Sequence, residues 1–459
     1  MTLTRRQLLR AGAATGALLV ARPAGTLQRA LGAEPVPGAA RRSRLFPEYT
    51  LVHADLHNHS LFSDGAGDPE LAFGSMRAAG LDVAALTDHS TVSYGLPDSV
   101  CPNSDCQSVA GIDEDSWART KDLADQASRE SSFVAIRGFE WSSPTLGHIN
   151  VWFSERWIDP LHTAGTTTGE GAAQFIHQDA PGGSTIAPAL DELVNAAPTT
   201  GTGMRLFYDW LAADSGRPAL GGGLDGLAGF NHPGRETGRF SYFSADPAVR
   251  DRLVSMEIFN RREDYLFEGT DAGQPSPLPQ CLDAGWRVGL LGVTDEHGTD
   301  WGFPEGKGRG GLWVRGLTRS DVRAAMVERR FFATRVSGLR LDASGNNRRM
   351  GSEVPVGRLA VRFRLDVDAG PSWWGKRLSV QVLGPGSPMP TILHEREFRV
   401  RSPREPVLSF RMPLDPGDVP WVVLRVADPA LPADGRADPT WAQYGEAVAY
   451  SSPFYLVPR

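Results

Sequence analysis

Three cysteines among 459 residues leave this chain without a disulfide framework, and none has the spacing of a zinc knuckle. Cys101 and Cys106 share one polar loop and can pair in an oxidising compartment, whereas Cys281 reads as a small buried apolar residue. No basic block dominates: 47 Lys and Arg stand against 54 Asp and Glu, a formal charge of -7, so bulk electrostatics do not suggest a nucleic-acid partner. Nor is there an apolar run long enough to span a bilayer. What the chain has instead is 41% hydrophobic and 22% charged residues, the balance of a soluble globular protein with room for one large and one small domain.

Residues 1–40 read as a targeting segment and linker rather than part of the fold. Paired arginines in Thr4-Arg5-Arg6-Gln7-Leu8-Leu9 precede a small, weakly apolar stretch from Ala11 to Ala21, and Arg22-Pro23 ends it. This order resembles a twin-arginine export signal, which implies a periplasmic or extracellular protein. Cleavage is expected between Ala30 and Ala40.

From about residue 50 short apolar strands alternate with helices. Leu51–Leu56 is a strand, and Asp68, Pro69 and Gly80 supply the cap, first turn and stop of a helix. Val83–Leu86, Phe133–Phe139, Leu227–Phe230, Val254–Phe259 and Val288–Val293 follow as further strands. Most finish on Asp, His, Glu or Asn. Parallel α/β barrels gather functional groups at such strand ends, so the phase of the pattern is itself informative. Residues 160–225, rich in Gly, Thr, Ala and Pro, read as an insertion over the same face. Beyond a break near 335–355, Val361, Phe363, Leu365 and Val367 alternate with charged residues, and Leu378–Leu383, Val407–Met412, Trp421–Val426 and Ala447–Tyr450 continue in kind. A small antiparallel β-sandwich over 340–459 is expected.

His57 and His59 lie at i and i+2, so on a strand they share one face and can reach one metal; Asp64 follows in a Ser-Asp-Gly turn. Asp295 and His297 repeat the spacing at the last strand end. His89, Glu140, His148 and His232 lie between the two pairs. Imidazole mixed with carboxylate and no thiolate suits Zn, Mn or Fe and is too nitrogen-rich for calcium. Asp88 reads equally as a group that orients a neighbouring ligand or as a paired turn residue. Arg235, Arg261 and Arg262 follow strand ends, where an arginine can clamp a phosphate, though a surface ion pair suits at least one of the last two. Trp141, Trp301 and Trp313 line the pocket or, more commonly for such residues, pack the core.

Asp55-Leu56-His57-Asn58-His59-Ser60, Leu86-Thr87-Asp88-His89, Gly138-Phe139-Glu140, Asn231-His232-Pro233 and Thr294-Asp295-Glu296-His297 together resemble the PHP (polymerase and histidinol phosphatase) superfamily, over residues 45–335. Gly310 to Thr334 and the strands beyond look more narrowly like its CehA/McbA group. The resemblance implies a distorted (β/α)7 barrel with two or three divalent metals at its C-terminal face. It assigns His57, His59, Glu140 and Asp295 to one metal, Asp64, His89 and His297 to a second, and His148 and His232 to a third position, with Glu140 bridging. Asp64 stands where several relatives carry a histidine, so metal identity is left open. The implied activity is hydrolysis of a small-molecule ester by metal-activated water, foremost a phosphoester. Alternatives are a carbamate or carboxylic ester, or a non-catalytic protein that docks to a surface through the β-sandwich. Neither the natural substrate nor the oligomeric state follows.

Overall fold

A computed structural model describes residues 40–90, 111–129, 131–143, 146–158, 202–216, 222–234, 238–302, 307–357, 360–433 and 439–459. The expected leader, Cys101, Cys106, Arg235 and most of the expected 160–225 insertion lie outside the described residues.

The first half is mixed α/β. Its strands are β1 (Thr50–Asp55), β2 (Val83–Leu86), β3 (Val134–Ser143), β4 (Gly147–Trp152), β5 (Leu227–Phe230), β6 (Leu253–Asn260), β7 (Glu263–Asp264), β8 (Gly289–Val293), β9 (Arg309–Val314) and β10 (Phe331–Thr334). β1, β2 and β3 pair in parallel, as do β5, β6 and β8. β4 runs antiparallel to both β3 and β5. That reversal departs from a uniform parallel barrel, and it follows from the short link between β3 and β4, which leaves no room for a crossover helix. A parallel bridge between Asn58 and Glu296 brings the end of β8 back to the end of β1.

Helices cover the outside. α1 (Pro69–Ala78) begins as expected: Asp68 accepts from the Glu70 amide, Pro69 stands in the first turn, and Gly80 has φ 89°. α2 (Glu114–Ala127) carries a capping box between Asp113 and Ser116. α3 (Thr202–Ala212), within the expected insertion, buries Met204, Phe207 and Leu211 in the core shared with Phe139, Trp141 and Phe230. α4 (Pro277–Asp283) buries Cys281, as the sequence suggests, and burial pushes that thiol well up. α5 (Arg319–Val327) lies between β9 and β10.

β9 pairs antiparallel with β1 and with β10, and carries the sheet onward into the C-terminal strands. These are β11 (Arg340–Gly345), β12 (Arg348–Arg349), β13 (Glu353–Val356), β14 (Val361–Asp368), β15 (Arg377–Gly384), β16 (Thr391–Arg399), β17 (Leu408–Met412), β18 (Trp421–Asp428), β19 (Glu446–Ser451) and β20 (Phe454–Pro458). Four of them form an antiparallel sheet in the order β12-β11-β14-β17; the rest join the large sheet, where β19 pairs with β10. Leu341, Phe363 and Leu365 from the small sheet share one core with Val380, Leu424 and Phe454 from the large one. The expected all-antiparallel module is modified in one place: β13 pairs parallel with β20.

Candidate metal centre

The end of β1 delivers His57 and His59, both fully buried. Their backbones are pinned to the end of β8, with the Asp295 amide donating to the His57 carbonyl at 3.0 Å and the His59 amide to the Glu296 carbonyl at 2.9 Å. Below this seam the buried Asp55 carboxylate accepts from the Thr294 amide (3.1 Å) and hydroxyl (2.5 Å). Burial raises its pKa to about 6 against those hydrogen bonds. Asp295 itself has φ 48°, a left-handed conformation a β-carbon disfavours.

Glu140 is the hub. It lies inside β3 rather than at its end, because β3 continues to Ser143 to pair with β4. The antiparallel course of β4 puts its first residues, including His148, on the face where the parallel strands end. Glu140 Oε1 is 3.2 Å from His57 Nε2, from His148 Nδ1 and from His232 Nε2; Oε2 is 2.7 Å from His89 Nδ1 and 3.4 Å from His59 Nε2. Asp295 Oδ1 lies 3.4 Å from His57 Nε2 and 3.2 Å from His59 Nε2. Asp64 Oδ1 is 3.6 Å from His89 Nε2 and 3.4 Å from His297 Nε2. All nine sequence-predicted ligands therefore converge, in four overlapping groups: His57, His59, Asp295; His57, Glu140, His232; His89, Glu140, His148; and His59, Asp64, His89, His297.

Two observations test whether these residues fit metal ions. Donors around a tetrahedral ion at about 2.0–2.1 Å are spaced by roughly 3.3–3.4 Å. The His57, His59, Glu140 and Asp295 contacts, at 3.0 to 3.4 Å, lie near that spacing. Moreover His59 Nδ1, Glu140 Oε2, His148 Nδ1 and Asp295 Oδ1 are buried without completing a hydrogen bond, an arrangement that is costly unless a cation satisfies such atoms. The set fits.

Electrostatics agree. Burial opposes charge on Asp295, Glu140 and Asp64, but the imidazoles around them win and hold all three carboxylates below their usual range. Burial and the neighbouring His89 and His297 lower His59 to about 3, which keeps a lone pair available for a ligand role. His57 goes the other way: burial disfavours its charge, yet Asp295, Glu140 and Glu257 raise it well above normal. A cavity that draws a proton onto His57 favours positive charge.

Supporting groups surround the ligands. Asp88 is buried and accepts from the Ser60 amide (2.7 Å), the Ser60 hydroxyl (2.8 Å) and the Ser63 hydroxyl (2.6 Å), which fastens the loop bearing Asp64. That loop rests on Trp301: a β-carbon on Gly67 would come within 2.0 Å of the indole. Trp301 also donates to the His59 carbonyl at 3.0 Å. Trp141 and Trp313 are likewise buried, so the three tryptophans are packing groups rather than an exposed lining. Among the predicted arginines, Arg261 reaches the cluster, 3.3 Å from Asp295 Oδ2 and 3.2 Å from His297 Nδ1. Among the described residues, the Arg262 side chain forms no hydrogen bond or ion pair with the cluster.

Glu257 and Asn231 were missed as site residues. Glu257 Oε1 faces His57 Nδ1 at 2.8 Å, while Oε2 accepts from the His232 amide and from Asn260 Nδ2, each at 2.8 Å. Asn231 donates to Glu140 Oε1 at 2.6 Å. The signal for Glu257 was present: it is the lone charge inside the apolar run Val254–Phe259. Such a carboxylate fixes the tautomer and direction of a ligating imidazole. Glu257→Ala is expected to weaken metal affinity by about 10- to 100-fold, measured by competition with a chelator, with the sheet intact by circular dichroism.

No protein-family model and no curated protein matches this chain. Solved structures similar to it include a two-domain protein from Bacteroides vulgatus containing a predicted PHP-like metal-dependent phosphoesterase, 15% identical, covering 90% of this chain and 100% of that one, with a TM-score of 0.39. A proposed metal-dependent phosphoesterase from Bifidobacterium adolescentis is 18% identical over 60% of this chain and 95% of its own, with a TM-score of 0.27. An amidohydrolase from Chromobacterium violaceum, with bound sulfate and no metal, is 17% identical over 53% and 87%, with a TM-score of 0.26.

Proposed function

We propose that this chain is a metal-dependent hydrolase of the PHP type, acting on a phosphoester, with a distorted seven-stranded barrel as its scaffold. The observation that supports this most is the sharing of ligands among four groups through Glu140, His57, His59 and His89, which suits adjacent metal ions better than one. Two or three divalent ions, Zn, Mn or Fe, held by His57, His59, Asp64, His89, Glu140, His148, His232, Asp295 and His297 would supply water activated near neutral pH (pKa roughly 7 on zinc) and polarise the scissile group.

The chain's own residues do the rest. Glu140 and Asp295 hold their negative charge throughout. Glu257 keeps the His57 Nδ1 proton, leaving Nε2 to face the cluster. Arg261 presents a charged guanidinium beside the cluster, its side chain 56% exposed, and offers a phosphate the paired donors a neutral ester does not need. With the three tryptophans buried, this favours a phosphoester over the aromatic carbamate of the CehA/McbA reading.

The test is a panel of p-nitrophenyl phosphate, bis-p-nitrophenyl phosphate and 1-naphthyl N-methylcarbamate on the full chain loaded with Mn²⁺ or Zn²⁺. Turnover of a phosphate ester is expected, and Arg261→Ala should raise KM at least about tenfold while the metal content stays constant. Cleavage of the carbamate alone would transfer the assignment to the ester alternative. Failure to take up metal would leave the binding-protein reading.

A further inference from the structure

The strand pair β6–β7 is a hairpin whose two turn residues are Arg261 and Arg262. Arg261 has φ 49°. Glycine, asparagine and aspartate are the usual occupants of such turn positions, because a β-carbon is crowded there. An arginine in that conformation is retained only where its surroundings over-determine it, and strain of this kind gathers at working sites. The Arg261 side chain meets Asp295 and His297, and its carbonyl accepts from the Gly308 amide at 2.9 Å.

The bracing comes from the far end of the chain. Arg335, just after β10, donates to the Arg262 carbonyl at 2.9 Å, stacks 4.4 Å above the Phe259 ring and pairs with Glu446 at 3.2 Å. On β19 the fully buried Tyr450 donates its hydroxyl proton to Asp264 Oδ2 at 2.9 Å and packs its ring 5.1 Å from Phe259. Tyr450 in turn accepts from Arg425 Nε at 3.1 Å. Arg425, also fully buried, is held by Gln381 Oε1 (2.9 Å) and the Gly445 carbonyl (2.7 Å). Both ends of the hairpin are thus gripped by groups that belong to none of the four candidate ligand groups.

We infer that Tyr450 and Arg335 are positioning residues for Arg261, so that the C-terminal strands form a working part of the phosphate-binding wall. The inference rests on the phosphoester reading above. A substrate phosphate then meets a guanidinium already set in direction and loses little affinity to ordering it. Tyr450→Phe keeps the ring packing and removes the hydroxyl with both of its links, the one to Asp264 and the one from Arg425 Nε. Arg335→Met keeps most of the stacking on Phe259 and removes the link to Arg262.

The experiment compares KM and kcat on p-nitrophenyl phosphate with orthophosphate affinity by calorimetry, using the metal-loaded full chain. Tyr450→Phe should raise KM and the phosphate Kd about three- to tenfold, leave kcat within about twofold, and have no further effect once Arg261 is alanine. Arg335→Met should do the same, and it serves if the tyrosine variant folds poorly. Unchanged phosphate affinity in both variants overturns the inference, as does an effect that persists in the Arg261→Ala background. Phosphate affinity that depends on Tyr450 without turnover of any ester upholds it and refutes the hydrolase reading instead. Turnover with affinity indifferent to both variants does the reverse.

Discussion

Glu140→Gln is expected to lower turnover by on the order of 10³ and to strip most of the bound metal, with little change in the fold. The substitution is nearly isosteric, so the fully buried site stays filled and β3 keeps its pairing with β4. What disappears is charge. Five imidazoles, those of His57, His59, His89, His148 and His232, lie 2.7 to 3.4 Å from the Glu140 oxygens. Glutamine offers one carbonyl oxygen and replaces the other with an amide that donates, which cannot ligate a cation and repels one. Every group that shares Glu140 weakens together. The check is metal content by elemental analysis beside kcat/KM, at equal near-ultraviolet circular dichroism. Metal retained at wild-type stoichiometry would remove Glu140 from its place as hub.

Local pattern made much of this legible. The i, i+2 spacing of His57 with His59, and of Asp295 with His297, picks out two candidate ligand pairs without any tertiary information, since alternate residues share a face wherever a strand ends. The cap and stop of α1 are equally local. His148 was legible as a ligand type, but the reason it arrives, the reversal of β4, depends on pairing with β3 and β5. Glu257 is less legible because it stands in the middle of β6, three residues before the strand's end. Arg261 could not be separated from Arg262 by sequence, since only the turn geometry decides which side chain faces the cluster. The braces from Tyr450 and Arg335 are long-range contacts between residues that read locally as ordinary strand and loop positions. A buried tyrosine or arginine gains its role from its partners, and these are distant in the chain.

The largest stability effect is expected at Arg349, which belongs to none of the candidate ligand groups. Its side chain is 5% exposed and sits over the rings of Phe46, Tyr49 and Trp313 at 4.3 to 4.8 Å, tying the approach to β1 and strand β9 to the small sheet. It also faces Asp342 Oδ1 at 3.0 Å and donates to the Ser43 hydroxyl at 3.0 Å. Arg349→Met fills much of the same volume but leaves Asp342 buried without its nearest cation, a change worth about 3 to 5 kcal/mol. The pH dependence carries a definite sign. Burial already raises Asp342 to about 6 from 3.8, with Arg349 pulling against it. A carboxyl whose folded pKa exceeds its unfolded one favours folding at low pH and loses that contribution as pH rises through the folded value. Removing Arg349 lifts the folded pKa further. The variant's deficit should therefore be small at pH 4 to 5, grow as pH rises through about 6 and be largest at pH 8, as read by urea unfolding at matched metal loading. A deficit equally large at pH 4 and pH 8 would mean that stacking on the three rings, rather than the ion pair, makes Arg349 matter.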